Sequence, residues 1–200
     1  MKHMQFFVGV DEAGRGALAG PVGVGVVLTP HDFDFARIPE VRDSKQLSAK
    51  ARERVYALAR QLKKEKVLDF KVAMVEAKVI DKIGITRVTA LAVARALARL
   101  EHSPLEVEVR LDGLLHAPME YTHQQTIIRG DQTEPIISLA SIIAKVTRDR
   151  LMVRLAKQYP VYGFEQHKGY GTLLHRQRIK EHGLCDLHRK YFCRKLCSGV

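Results

Sequence analysis

The chain has 200 residues, 46% of them hydrophobic, a length that suits one compact α/β domain and leaves no stretch long and apolar enough for a membrane span. Its formal net charge of +11 favours a polyanionic partner, either nucleic acid or an anionic surface, while the few aromatics and absent Trp exclude a large base-stacking platform. The opening residues "MKHMQFFVGV" lack the apolar core and cleavage site of a signal peptide, so we expect a cytoplasmic protein without membrane contact.

The first predicted element is a strand over residues 5–11, in which Phe7, Gly9 and Asp11 share one face. It ends in two adjacent acids, Asp11 and Glu12, followed at once by a glycine-rich turn. A second strand is predicted over 20–29, where two glycines leave one face bare for the close packing of another element.

Helices and strands then alternate along the chain. Ser48 is a suitable N-cap for a basic helix, a third strand follows near 67–74, and a short helix at 76–82 stops at Gly84 before a longer one at about 86–101. The remaining predicted elements are strands at 106–112 and 126–131, a helix of about 24 residues that begins at Pro135, and a helix at 173–182 capped by Thr172 and closed by Gly183. This order predicts an α/β domain.

Carboxylates terminate three of the predicted strands: Asp11 with Glu12, then Asp112, then Asp131. A single acid at a strand end is typical of a turn. Turn preferences do not explain why three strands place acids at one edge of a sheet. Crowded carboxylates repel each other unless a cation compensates them, and hard oxygen ligands suit Mg²⁺ or Mn²⁺. The pattern therefore predicts two divalent ions that activate a water and stabilise a leaving oxygen in a nuclease.

The long helix that begins at Pro135 is apolar except for one narrow stripe. Ser138, Ser141, Lys145, Arg148 and Asp149 fall within about 100° of its circumference. The stripe is interpreted either as a solvated edge or as a phosphate groove beside the acids that the Ser hydroxyls and Lys145 face, with Asp149 as a candidate structural partner of an arginine.

Two glycine-rich loops are candidate ligand contacts. "GRG" at 14–16 lets a ligand touch the main chain, but its spacing does not match a dinucleotide fingerprint and no Walker A sequence is present. "HKGYGT" at 167–172 places Tyr170 just before a helix, either as a core or turn residue or as a ring that stacks on a sugar or base. Backbone amides at 14–16 and one aromatic ring would be an economical reader of the 2′-hydroxyl that distinguishes RNA from DNA.

A Cys/His cluster near the C-terminus has a zinc-site interpretation and a simpler one. It lacks a C-x-x-C knuckle and its spacing is irregular, so reduced thiols in a helical tail are favoured. The residues are His182, Cys185, His188, Cys193 and Cys197.

Taken together, "DEAGRG…LAGPV", "DSKQLS", "LDG", "GD" ahead of "ASIIAKVTRDR", and "HKGYGT…H" resemble type 2 ribonuclease H, ribonuclease HII, over about residues 6 to 192. The resemblance implies a ribonuclease H-like α/β fold, with a central mixed sheet flanked by helices and a C-terminal helical segment. We expect a catalytic core at 1–160 and the helical segment at 161–200, packed together as one structural domain, in a monomer.

The activity implied by the resemblance is endonucleolytic cleavage of RNA in RNA–DNA hybrids and at single ribonucleotides embedded in duplex DNA. The cut is expected on the 5′ side of the ribonucleotide, leaving 3′-hydroxyl and 5′-phosphate ends, with two Mg²⁺ or Mn²⁺ ions. The metal-binding and catalytic residues implied are Asp11, Glu12, Asp112 and Asp131. The substrate-binding residues implied are Gly14, Arg15, Gly16, Lys45, Ser141, Lys145 and Tyr170.

Two other functions compete with a ribonuclease. One is a non-catalytic nucleic-acid-binding module in which positive charge supplies affinity and the acids are structural. The other is a nuclease on the same fold that also cuts all-DNA duplexes.

Overall fold

The computed structural model describes residues 5–43 and 47–197, without the side chains of 42, 43 and 197. Its centre is a five-stranded sheet in the order β3-β2-β1-β4-β5. The pairs β1–β2 and β2–β3 are antiparallel, whereas β1–β4 and β4–β5 are parallel, so the predicted mixed sheet is confirmed. The strands are β1 (Phe6–Ala13), β2 (Val22–Pro30), β3 (Asp69–Val75), β4 (Val107–Asp112) and β5 (Gln124–Ile127).

The helices begin and end where the sequence places capping residues. Ser48 accepts a hydrogen bond from the Ala51 N–H, Thr172 accepts one from the His175 N–H, and Gly183 closes that second helix with a positive φ. The helices are α1 (Ala49–Lys64), α2 (Ala77–Ile83), α3 (Ile85–Leu97), α4 (Gly130–Thr133), α5 (Pro135–Ala156), α6 (Phe164–His167), α7 (Leu173–His182) and α8 (Lys190–Cys197).

Each face of the sheet packs against its own set of helices. Val8 and Val10 of β1 lie in a core with α2 and α3, while Phe7 on the opposite face packs with α1 and α5. This separation follows from the alternation of side chains along a strand. The predicted sheet flanked by helices is thus the observed architecture.

Glycines allow α5 to approach the sheet more closely than side chains would permit. A Cβ atom added to Gly9 would lie 2.4 Å from the Ile136 carbonyl oxygen, and one added to Gly25 would lie 2.5 Å from the Ala140 carbonyl oxygen. The bare face predicted for the second strand is therefore occupied by the backbone of α5.

The segment after α5 folds back onto the loop between β1 and β2. The Arg189 N–H donates to the Leu18 carbonyl at 2.8 Å, and the Gly20 N–H donates to the Leu187 carbonyl at 2.8 Å. Asp81 at the end of α2 accepts the first two N–H groups of α8. Across residues 5–43 and 47–197, no helix combines the length and the apolarity needed to cross a membrane.

Two predicted strand ends are wrong. β5 stops at Ile127 because Arg129 adopts a left-handed conformation (φ 56°), and Asp131 lies in the short helix α4 instead of at a strand end. β1 continues to Ala13, so Asp11 and Glu12 lie within the strand, where Asp11 pairs with Gly25 and Glu12 with Val24.

Candidate active site

Parallel pairing of β1 with β4 brings Asp11 beside Asp112. The last registered pair is Val10 with Leu111, and the two aspartates are the next residues on each strand. Electrostatic repulsion from Asp112 acts on both Asp11 and Glu12. Residues 101 positions apart in the chain are thus brought together by strand register alone.

Asp131 reaches the same place from α4. Its backbone N–H donates to Asp112 Oδ1 at 3.1 Å, and its own backbone carbonyl accepts a hydrogen bond from the Ser138 hydroxyl of α5. Asp131 and Asp11 are buried, whereas Glu12 and Asp112 are half-buried. The four predicted acids therefore come from three elements to one edge of the sheet.

Burial is the main reason why the pKa values of Asp11 and Glu12 are raised. It raises the pKa of Asp11 well above its usual value, while a hydrogen bond from Ser141 opposes the shift and repulsion from Glu12 and Asp112 adds to it. The pKa of Glu12 is also raised, first by burial, against the opposing effect of Arg15 at 3.8 Å. A bound cation would favour the ionised form of carboxylates in such surroundings.

The donor set fits a divalent ion with a preference for oxygen ligands. Carboxylates with raised pKa values supply hard oxygens and a charge deficit that Mg²⁺ or Mn²⁺ would relieve. Within the described ranges, no three Asp, Glu, His or Cys side chains already stand in a closed metal-ligating arrangement. The acids are therefore neighbours that a bound ion would have to draw together.

A cleft of about 400 Å³ opens beside Glu12. One wall is the turn Gly14–Gly16, another is α5, and Tyr170 stands across from them. The lining residues are Glu12, Ala13, Gly14, Arg15, Gly16, Arg52, Ser141, Ile142, Lys145 and Tyr170. Of the predicted substrate-binding residues, all except Lys45, which lies outside the described residues, line this cleft.

The polar stripe of α5 contains residues that line the cleft and residues that are buried in the protein. Ser141 and Lys145 face the cleft, where Lys145 lies 5.0 Å from the centre of the Tyr170 ring. Arg148 and Ser138 are fully buried, so the interpretation of the stripe as a solvated edge is wrong for these two residues, and Ser138 does not line the cleft. The suggested arginine partner of Asp149 is also wrong, since Asp149 pairs with Lys145 at 2.8 Å.

A network of three buried histidines supports the loop that carries Tyr170. The Cys185 N–H donates to His188 Nδ1, which leaves the proton of His188 on Nε2 to donate to His175 Nε2 at 3.1 Å. His175 in turn donates through Nδ1 to the Tyr170 carbonyl at 2.9 Å. His167 accepts from the Gly169 N–H at 3.2 Å and donates to the Tyr162 carbonyl at 2.8 Å.

Burial keeps these histidines neutral. It lowers the pKa of His175 and of His188 to about 4, and the pKa of His167 is lowered for the same reason. The Sγ atom of Cys185 lies 3.2 Å from His188 Nδ1. Cys185 and Cys193 are free thiols, and the side chain of Cys197 lies outside the described residues, so the zinc interpretation stays a prediction.

Sequence reasoning missed several residues around the cleft. Arg52 lines it from the first turn of α1, where the basic character of the helix was the available signal. Arg148 and Arg189 bind carbonyl groups of the loop 14–21 from the protein interior. Arg148 belongs to the polar stripe of α5, but nothing in the sequence shows that Arg148 and Arg189 are buried, because their burial depends on tertiary contacts.

Comparisons with known proteins agree on one family. Residues 8–195 match the family model of ribonuclease HII. A ribonuclease HII from Endomicrobium trichonymphae is 45% identical over 188 residues, which cover 92% of this chain and 83% of that protein. A ribonuclease HII from Bacillus anthracis is 45% identical over 192 residues, covering 96% of this chain and 70% of that protein.

Solved structures have the same fold. The crystal structure of ribonuclease H2 from Pyrococcus horikoshii is similar with a TM-score of 0.71 and 27% identity, covering 96% of each chain. The ribonuclease HII from Archaeoglobus fulgidus, solved in complex with PCNA, is similar in fold with a TM-score of 0.76 at 24% identity, covering 97% of this chain and 98% of that one.

Proposed function

Because the chain belongs to the ribonuclease HII family of metal-dependent ribonuclease H endonucleases, we propose that it cuts RNA–DNA hybrids and duplex DNA at single embedded ribonucleotides. The cut is on the 5′ side of the ribonucleotide and leaves 3′-hydroxyl and 5′-phosphate ends. The observation that carries the proposal is the placement of Asp11 beside Asp112, next to a cleft walled by the 14–16 turn and Tyr170.

The four acids are the proposed ligands of two divalent ions. When bound, Mg²⁺ or Mn²⁺ supplies an activated water and neutralises charge on the phosphate and leaving oxygen. Asp11, Glu12, Asp112 and Asp131 supply the carboxylates, and the hydrogen bond from Ser141 orients Asp11. The Asp131 amide fixes the Asp112 carboxylate through its bond to Oδ1.

The turn at 14–16 and Tyr170 are the proposed readers of the ribose. Gly14 and Gly16 bring the main chain close to a ligand, and an N–H group accommodates a 2′-hydroxyl without a side chain between them. The Tyr170 ring, held through its own backbone by His175, supplies a flat surface for the sugar. A deoxyribose would leave the N–H donors without their partner.

Cations around the cleft are the proposed phosphate contacts. Lys145 lies beside Tyr170, and Arg52 enters the cleft from α1, where its position is braced by a hydrogen bond to the Leu47 carbonyl. Lys45 is proposed on its sequence alone. Contacts of this kind position the backbone and carry no base specificity.

A duplex with one ribonucleotide tests the proposal directly. We expect cleavage in the presence of Mg²⁺ or Mn²⁺, no cleavage with a chelator, and none after the ribonucleotide is replaced by its deoxy counterpart. End analysis should find 3′-hydroxyl and 5′-phosphate termini on the 5′ side of the ribose.

Each competing function has its own outcome in this assay. A substrate that binds but stays intact with either metal favours a non-catalytic binding module. Equal cleavage of the all-DNA duplex contradicts the reading of the 2′-hydroxyl and favours a general nuclease on this fold.

A further inference from the structure

The loop from Gly14 to Pro21 turns its carbonyl groups toward two guanidinium groups inside the protein. Arg189 donates to the carbonyls of Gly14 at 2.7 Å, Arg15 at 2.8 Å and Gly20 at 3.0 Å. Arg148 donates to the carbonyls of Pro21 at 2.8 Å, Lys168 at 2.9 Å and Ala19 at 3.1 Å. All donor nitrogens of both forks are therefore used on main-chain oxygens.

No described carboxylate lies within ion-pair distance of these two cations, although Asp149 acts electrostatically on Arg148 and Asp81 on Arg189. Both are 0% exposed, and neither takes part in an ion pair among the described residues. A buried cation costs several kcal/mol unless its surroundings compensate it. Burial and the charge of Arg148 together lower the pKa of Arg189 to about 9. The loop carbonyls supply the compensation, so the loop and the two arginines depend on each other.

The bonds of Arg189 determine where two N–H groups point. In a trans peptide the C=O of one residue and the N–H of the next are directed to opposite sides. Since the carbonyls of Gly14 and Arg15 face Arg189 in the interior, the N–H groups of Arg15 and Gly16 face the other way. That side is the cleft, which both residues line. Among the described residues neither N–H donates to a backbone carbonyl.

One of these two peptides is the central peptide of a β-turn, which can adopt either of two orientations. The Ala17 N–H donates to the Gly14 carbonyl, so Arg15 and Gly16 are the central residues of a β-turn. Types I and II of such a turn differ by a flip of the central peptide, and glycine at the third position favours type II through a positive φ. Gly16 does not have a positive φ. The hydrogen bond from Arg189 to the Arg15 carbonyl holds the orientation that glycine alone would leave free.

We propose that Arg189 is a positioning residue for ribose recognition: its guanidinium fixes the Arg15–Gly16 peptide with the N–H toward the cleft. The inference rests on the proposed function, since it names the group that sets the geometry of the ribose reader. Arg189 itself does not line the cleft. Its position comes from the chain segment that pairs with the loop, where its own N–H bonds Leu18.

The test compares binding of two duplexes, one with a single ribonucleotide and one all-deoxy, by fluorescence anisotropy in the Asp11→Asn background. Two variants are used: Arg189→Met, which removes the fork at similar length, and Arg189→Lys, which keeps the charge but not the fork. One hydrogen bond to the 2′-hydroxyl is worth on the order of tenfold in affinity. We expect Arg189→Met to lose that ribose preference while all-DNA affinity stays unchanged, with Arg189→Lys intermediate.

A destabilised variant with an intact loop is the matched control. Leu97 is buried in the core on the α3 face of the sheet, and Leu97→Ala should lower thermal stability without changing the ribose preference. Folding of each variant is checked by circular dichroism. If Arg189→Met does not fold, Arg189→Lys decides the question alone.

The outcomes separate this inference from the proposed function. An Arg189 variant that keeps the full ribose preference overturns the positioning role and leaves the proposed function standing. A Leu97→Ala variant that loses the preference equally also overturns it, since the effect would then be one of stability. No ribose preference in the protein with Arg189 intact overturns both.

Discussion

The acid cluster lies beside the two loops at 14–21 and 167–172, but the two regions contain buried groups of opposite charge. At the cluster, burial raises the pKa values of Asp11 and Glu12, which means that their charged forms are unfavourable in the metal-free protein. At the loops, buried guanidinium groups bind carbonyl oxygens, and neutral histidines complete the support. The acid cluster is the proposed site of added cations, whereas the loops are already bound by cations of the protein itself.

The difference suggests that the acids serve the proposed cleavage, while the loops serve the proposed selection of the substrate. Strand register and a four-residue helix suffice to assemble the acids at the proposed metal site. The loops have no regular structure of their own, so their carbonyls depend on Arg148 and Arg189 for partners. Substitutions should therefore abolish cleavage in the first region and alter discrimination or stability in the second.

The largest effect is expected from Asp11→Asn. Cleavage of the single-ribonucleotide duplex should fall on the order of a thousandfold or more, because a charged ligand of the reacting centre is lost. Binding of the hybrid should largely survive. The free energy of unfolding without metal should not fall, since the amide removes a buried group that burial already disfavours as a charge. Single-turnover cleavage and urea denaturation measure the two quantities.

Asp69→Asn is the matched control for that substitution. Its carboxylate pairs with Lys63 and Lys71, and the bonds to Lys63 hold its pKa below the usual value despite partial burial. The control should keep full activity and lose some stability. Persistent Mg²⁺-dependent cleavage by a purified Asp11→Asn, Asp112→Asn double variant would refute the assignment of the acids.

The next largest effect is expected from Tyr170→Ala. Loss of the ring should lower kcat/KM for the ribonucleotide duplex by about 10- to 100-fold, as removal of a stacking aromatic typically does. Tyr170→Phe keeps the ring and should retain most of the activity. Steady-state kinetics on both variants decide the matter, and equal loss in the two would assign the effect to the hydroxyl instead of the ring.

A pH-dependent loss of stability is expected from the histidine network. His175 and His188 have ordinary pKa values near 6.5 when unfolded and about 4 when folded, so the unfolded state binds more protons between these limits. Stability should therefore fall as the pH is lowered from 6.5 to about 4, by roughly 3 kcal/mol for each group.

His188→Asn tests this origin of the pH dependence. The amide oxygen keeps an acceptor for the Cys185 N–H, while the titrating group is removed. Urea denaturation at several pH values should show a shallower slope for the variant. The same slope in variant and parent would place the proton uptake elsewhere.

The smallest effect is expected from the metal itself. At a Mg²⁺ concentration about ten times the dissociation constant, the free energy of unfolding should rise by about 1.4 kcal/mol, or about 3–6 °C in Tm. The Asp11→Asn, Asp112→Asn double variant should show no such shift in a thermal melt monitored by circular dichroism. An equal shift in both proteins would mean that the ion binds away from the acids.

Local patterns in the sequence predicted most of the fold and the acids. Alternation revealed the strands, and Ser48 and Thr172 marked helix starts because capping requires only nearby residues. The strand predicted at 126–131 was wrong beyond Ile127, since the left-handed conformation of Arg129 has no signal in an arginine side chain. Asp131 still reaches the cluster, but through a helix.

The support of the loops could not be predicted from the sequence. Arg148 belongs to a polar stripe that also contains cleft residues, and only tertiary contact separates the buried member from its neighbours. The histidines are scattered over 21 positions, from His167 to His188, and their tautomers depend on backbone N–H groups of the folded chain. Such groups show their role only when burial is known.

The contact between α5 and the sheet has a consequence for how mutational surveys of this enzyme would read. Gly9 and Gly25 lie against carbonyl oxygens of α5 with no room for even one methyl group. Any side chain there would displace the helix that carries Ser141, and with it the hydroxyl that orients Asp11. In a saturation screen scored by activity, substitutions at Gly9 and Gly25 would therefore be as harmful as substitutions at the acids. Neither glycine has a side chain that could take part in the reaction, so the screen alone would not separate their packing role from a catalytic one.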